Sequence, residues 1–381
     1  MNADLVIRNA RVLHPDGSLA AADVAIEGET IVGVGDEPAS RALDAHGLLL
    51  LPGIVDLHGD AFERQLMPRP GVGFPIDLAL LETDRQMAAN GITTAFHGLT
   101  WSWEPGLRGR EAAQEFFAAL ERVRGSFACD TYVHLRHEVY NIDAVEQIEA
   151  WLAQGRIRLL AFNDHLPLFE RKRAAGQLGS YADRARVSTD AFVELMEKAA
   201  RRTADVPAAN ARLAAAARRH GVPLASHDDE TPLVREYYHE LGCSLCEFPI
   251  NRETAEAGRV LGNAVIMGAP NVVRGGSHAR GMNAAEMVGH GLVDVLTSDY
   301  YYPSMLHAAF RLADAGIRPL GEAWGLVSAR PARAGGFDDR GEIAPGRRAD
   351  VLLVDDRQPT LPRVVATFVA GRMAYSARGW H

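Results

Sequence analysis

His58 and Asp60 stand two residues apart in the stretch LPGIVDLHGDAF, Leu51 to Phe62, after a turn-like Pro52-Gly53 and a short apolar run. On a strand, side chains at i and i+2 leave the same face, so both could reach one ion. Residues of the same kind close other apolar runs: His97, His137 and Glu138, Asn163 to His165, His227 to Asp229, Glu247, His278 and Asp299. One histidine at a strand end is more often a hydrogen-bonded structural residue than a ligand. Metal-type residues ending nearly every run point instead to one convergent site. Imidazole and carboxylate suit zinc, manganese or iron. Two such ions sharing a carboxylate can generate a nucleophile from water at neutral pH. Asp299, at the last run, is the natural candidate both to bind metal and to take the water's proton.

The elements that must position these residues alternate. The apolar runs are 54–58, 92–99, 131–139, 157–165, 222–229, 243–250, 264–273 and 293–300, and helical patterns such as GREAAQEFFAALERVRG lie between them. Eight β runs with intervening helices predict an α/β fold, a (β/α)8 TIM barrel over residues 51–335, with the polar run ends gathered at its mouth. Residues 1–50 and 336–381 read as short strands with turns, and are expected to pair into one small β-sandwich, since each alone has too few strands. The longest interruption, 166–205, predicts a helical insertion after the fourth strand.

Composition narrows the function. The 381 residues are 47% hydrophobic and 23% charged, with a net charge of −9. That balance gives nucleic acid or an anionic membrane no support as a partner. No apolar stretch is long enough to span a bilayer and no signal peptide is evident, so a cytoplasmic location is expected. Cys243 and Cys246 have C-x-x-C spacing without a second pair, and together with Cys129 they are expected to be buried thiols.

The run PGIVDLHGD, the aspartate of the eighth run and the closing Gly341-Glu-Ile343-Ala-Pro345-Gly346-Arg-Arg-Ala349-Asp350 resemble the amidohydrolase superfamily over essentially the whole chain. Most members carry His-x-His where this chain has His58-Gly59-Asp60, and many have a ligand histidine near Glu247. His58-Gly59-Asp60, Glu63-Arg64, Pro68 to Val72, Ser277-His278 and Ser298 to Tyr301 are similar to the phosphonate-metabolism branch. Its known activity hydrolyses α-D-ribose 1-methylphosphonate 5-triphosphate to the 5-phosphate and pyrophosphate.

The resemblance implies a divalent-metal cofactor, two ions with zinc foremost, and a phosphorylated small-molecule substrate; a homo-oligomer would also fit. It makes His58, Asp60 and Asp299 ligands of the first ion and His227 a ligand of the second. The superfamily often bridges its ions with a carboxylated lysine on strand four. The fourth run has no lysine, which favours Glu138 as the bridge. His165 is a further ligand or, equally, a substrate contact. Asp228, Asp229 and Glu230 are as readily a solvated acidic loop as functional groups. Arg64, Arg69, Arg136, Arg274, Arg280 and His278 are the candidate phosphate contacts, because arginine's planar fork suits phosphate oxygens. Two other readings compete: a deacetylase, deaminase or cyclic-amide hydrolase acting on a C–N bond, and a metal-free binding protein.

Overall fold

Strands from both ends of the chain share one sheet, and a barrel is built between them. The computed structural model describes residues 3–35, 38–69, 71–276 and 282–377. β1 (Leu5–Leu13), β2 (Leu19–Glu27), β3 (Thr30–Val34), β4 (Ala42–Asp44) and β5 (Leu49–Pro52) come first. The barrel strands follow: β6 (Ile54–Gly59), β7 (Ile92–Trp101), β8 (Asp130–Glu138), β9 (Leu159–Asn163), β10 (Leu224–His227), β11 (Leu245–Glu247), β12 (Ala264–Gly268) and β13 (Val295–Thr297). β14 (Val351–Asp355), β15 (Arg363–Val369) and β16 (Arg372–Ser376) return to the first sheet, where β14 pairs antiparallel with β5.

Each of the eight apolar runs of the middle overlaps a barrel strand, and β6 to β13 pair in parallel in chain order. The ring closes at Asp299: its amide donates to the His58 carbonyl and its carbonyl accepts from the Asp60 amide, both at 2.9 Å. Three helices, Leu166–Ala174, Gly179–Ala185 and Thr189–Ala200, make up the insertion after β9 around a small core of their own. Cys129, Cys243 and Cys246 are buried and unpaired. Among the described residues no helix is long and apolar enough to cross a membrane.

On β7 to β11 strand parity decides which polar residues enter the barrel; on β6 the pairing shifts register between Asp56 and Gly59, and His58 reaches the mouth although Leu57 packs into the floor. Its floor is packed with Val55, Leu57, Phe96, Leu159, Ala161, Ala225, Leu245, Ile266 and Val295. Two residues further along the same faces stand Gly98, Asn163, His227 and Glu247, at the mouth. On β8, Tyr132 packs against this floor, so His134, Arg136 and Glu138 face inward in turn. His97 and His137 have the opposite parity. His97 meets the rings of Phe62 and Phe116 edge-on in the helix layer, with centroids 5.6 and 5.8 Å away. These two histidines therefore lie outside the convergent set.

Candidate metal centre

Three groups of side chains converge at the mouth, each with ligand-type atoms within 4.8 Å of one another: His58, Asp60 and Asp299; His165, His227 and Asp228; and His58, His227 and Glu247. The groups share members. The His227 ring lies 5.5 Å from that of His58 and 5.6 Å from that of His165. Left-handed residues turn the chain at three strand ends: Asp228 after β10 (φ 58°), Phe248 after β11 (φ 51°) and Asp299 after β13 (φ 53°). Non-glycine residues rarely adopt this region, and such strain concentrates at functional sites. Two of the three, Asp228 and Asp299, are themselves members of the groups.

Neighbouring residues fix the orientation of these ligands. Asp56, buried in β6, accepts from the Ser298 hydroxyl (2.5 Å), the Ser298 amide (3.0 Å) and the His58 amide (3.3 Å). One carboxylate thus links the strand that bears His58 to the residue before Asp299. Glu247 lies 3.3 Å from His58 Nδ1. A side chain on Gly98 would put a Cβ 3.3 Å from the His58 ring, a tight contact, and 3.5 Å from the Arg136 stem, an ordinary one, so glycine here leaves the His58 ring its place without a shift.

The site is short of positive charge. Burial, then Asp60, push the Asp299 carboxyl up to about 7. Burial holds His134 down to about 3, so its ring is neutral. Its Nδ1 donates to the Leu57 carbonyl at 3.0 Å, which leaves a lone pair on Nε2 facing Glu247 Oε2 at 3.6 Å. Among the described residues neither of those two buried atoms has a hydrogen-bond partner. Unsatisfied buried polar atoms are costly. A carboxylate-rich mouth with facing lone pairs fits a divalent cation bound by nitrogen and oxygen. Besides the arginines, His165 is protonated: burial opposes its imidazolium, but Glu138 and Asp228 raise it to about 9.

The expected site residues fall in different places. His58, Asp60 and Asp299 meet in one group, and His165 and His227 meet in another. Glu138 is buried and hydrogen-bonds His165 Nδ1, and belongs to none of the three groups. Arg136 and Arg274 line a cavity of about 310 Å³ together with His58, His165, His227 and Asp299. Arg64 lies over the Tyr300 ring, 5.5 Å from its centroid, and Tyr300 lines that cavity. Arg69 sits on an exposed turn bridged to Val72 and does not line the cavity. His278 and Arg280 lie outside the described residues. Sequence reasoning assigned no role to Glu247 or Asp228, nor to Arg108, which lines the cavity while forking onto Glu63 at 2.9 and 3.0 Å. Asn163, one of the run-end residues, was likewise given no role. It is fully buried in register with Glu138 and His227, and neither side-chain amide atom has a hydrogen-bond partner among the described residues. The signal available for Asn163 and Glu247 was strand parity counted back from the apolar floor.

Over 320 aligned residues the chain is 35% identical to the alpha-D-ribose 1-methylphosphonate 5-triphosphate diphosphatase of Escherichia coli (strain K12), spanning 82% of this chain and 85% of that protein. The chain belongs to the amidohydrolase superfamily. It is a hydrolase. It is also 28% identical to an adenine deaminase of Methylobacterium sp. (strain 4-46) over 98% of this chain, but spans only 59% of the deaminase. Its fold matches that of a solved amidohydrolase from an environmental sample of the Sargasso Sea, with a TM-score of 0.67, 18% identity, and coverage of 98% of this chain and 93% of that one. No protein-family model matches the sequence.

Proposed function

We propose that this amidohydrolase cleaves the triphosphate of α-D-ribose 1-methylphosphonate 5-triphosphate, releasing pyrophosphate and leaving the 5-phosphate. The observation that carries this reading is that Arg108, Arg136 and Arg274 line the same cavity as His58, His227 and Asp299. Polyanionic substrates need such cations, and a chain with a net charge of −9 supplies them only locally. The likeness to the Escherichia coli diphosphatase supports the same choice.

His58, Asp60 and Asp299 would hold one divalent ion, and His165, His227 and Asp228 a second, with zinc the first choice. Such ions lower the pKa of water and stabilise charge on phosphoryl oxygens. The chain's own residues do the rest. Asp299 faces the cavity and accepts the proton of the attacking water. Arg136 and Arg274 hold phosphate oxygens, and Arg274 is itself steadied by the Tyr300 hydroxyl 3.2 Å away. Phe248 and Met267 give the cavity apolar wall that keeps bulk water from the reacting phosphorus. Catalysis of this kind is mainly positioning and electrostatics.

The likeness to adenine deaminase supports a second reading, hydrolysis of a C–N bond with the same Asp299. Assaying both reactions on the metal-replete protein separates the two. The proposal expects pyrophosphate from the ribosyl triphosphate, loss of that release on chelation, and a drop of roughly 10²–10⁴-fold in kcat for Asp299→Asn. Ammonia from adenine without pyrophosphate from the triphosphate would overturn it.

A further inference from the structure

We infer that Arg136 is an internal cation that metal displaces, so that loading the site is a cation exchange which delivers this arginine to the substrate. The inference rests on the reading of the barrel mouth as a metal centre. The Arg136 Nη1 donates to Asp60 Oδ2 at 3.2 Å, and Nη2 lies 3.2 Å from His227 Nε2. Asp60 and His227 belong to different groups of candidate ligands, so one guanidinium spans both.

Every guanidinium nitrogen is a donor, so His227 Nε2 must offer its lone pair to Arg136. The ring proton is then on Nδ1, which faces Asp228 Oδ2 at 3.3 Å. That lone pair, and the Asp60 oxygen, are the electrons a metal ion would take. A lysine in this place could give way by losing its proton, but arginine stays charged at every working pH. An ion that takes Asp60 and His227 must therefore move Arg136 aside.

The surroundings permit this movement. Arg136 Nε has no hydrogen-bond partner among the described residues. The stem passes the bare backbone of Gly98, and the guanidinium borders the cavity. Displaced from its two partners, it moves toward the space where a phosphate chain would lie. The metal-free site is thereby neutralised in part, and the loaded site gains an anion-binding group.

The test compares the wild-type protein with Arg136→Met and Arg136→Lys, measuring Zn²⁺ and Mn²⁺ affinity by chelator competition and the Tm of each metal-free protein. Arg136→Met is expected to bind either ion about tenfold tighter or more, because one competing charge-assisted hydrogen bond is worth that much. Its metal-free Tm is expected to fall, and the loaded variant should show a raised KM for the triphosphate. Metal affinity equal to or weaker than wild type overturns the inference and leaves the metal centre standing. A wild-type protein that binds neither ion overturns both. Should Arg136→Met fail to melt cooperatively, Arg136→Lys decides: an ammonium cannot span both partners, so tighter metal binding is expected and unchanged binding counts against the exchange.

Discussion

His165 carries the clearest electrostatic signature at the scale of single residues. Its imidazolium is raised from 6.5 to about 9 because Glu138 and Asp228 outweigh the cost of burial. A base with a raised folded pKa contributes stability that is complete below its unfolded pKa and is lost as pH climbs through the folded one. The metal-free protein is therefore expected to lose on the order of 3 kcal/mol as pH rises from 6.5 to 9. Asp299, raised from 3.8 to about 7, acts in the same direction at lower pH. Tm measured against pH checks this, and Glu138→Gln should flatten the fall; an unchanged slope in that variant speaks against the pair. His58, Asp60, His227 and Asp299 were legible as a set because each ends an apolar run. Asp228 was not, since its part depends on a left-handed turn that points its carboxylate back at His165 and His227, 3.5 and 3.3 Å away.

The strand seam between β6 and β13 makes the corresponding argument at the scale of elements. Asp56 holds both sides of it through Ser298 and the His58 amide. Ser298→Ala removes the shortest of those bonds and leaves a buried carboxylate short of a donor. The expected cost is about 1–3 kcal/mol in urea denaturation of the metal-free protein, with weaker metal binding because Asp299 adjoins the break. A variant as stable as wild type would show that the seam does not depend on this bond. Periodicity placed all eight barrel strands, but the last five runs were read longer than the strands are. The last part of the seventh run forms the helix Ala269–Arg274 instead, where Pro270 removes a ladder donor yet suits a helix's first turn. His97, a strand-end histidine, was drawn into the site by position alone, and parity sends it to the helix layer instead.

In the molecule as a whole, β5 and β14 are where barrel and end sheet meet. Leu49, Leu51, Leu352 and Val354 pack into the core beneath the barrel's helices, while Leu50, Val351 and Leu353 pack into the end sheet's own core. Burial on both faces is why these strands read as unbroken apolar runs, unlike the neighbouring β1, which exposes Arg8, Asn9 and Arg11. Leu352→Ala should cost about 2–5 kcal/mol, as a fully buried leucine cut back to its Cβ does. Chemical denaturation is expected to show barrel and end sheet melting together, and a separate early transition of the end sheet would refute that coupling.

Both closures in this fold join segments far apart in the chain. β5 waits for β14, and the ring that begins at β6 is completed only by Asp299. A growing chain therefore exposes an open sheet edge and an unclosed ring until most of its residues have left the ribosome. The candidate ligands are drawn from the first and last barrel strands alike. No chain that stops short of Asp299 can assemble the first group, so an ion held there would join a nearly closed ring instead of seeding its folding.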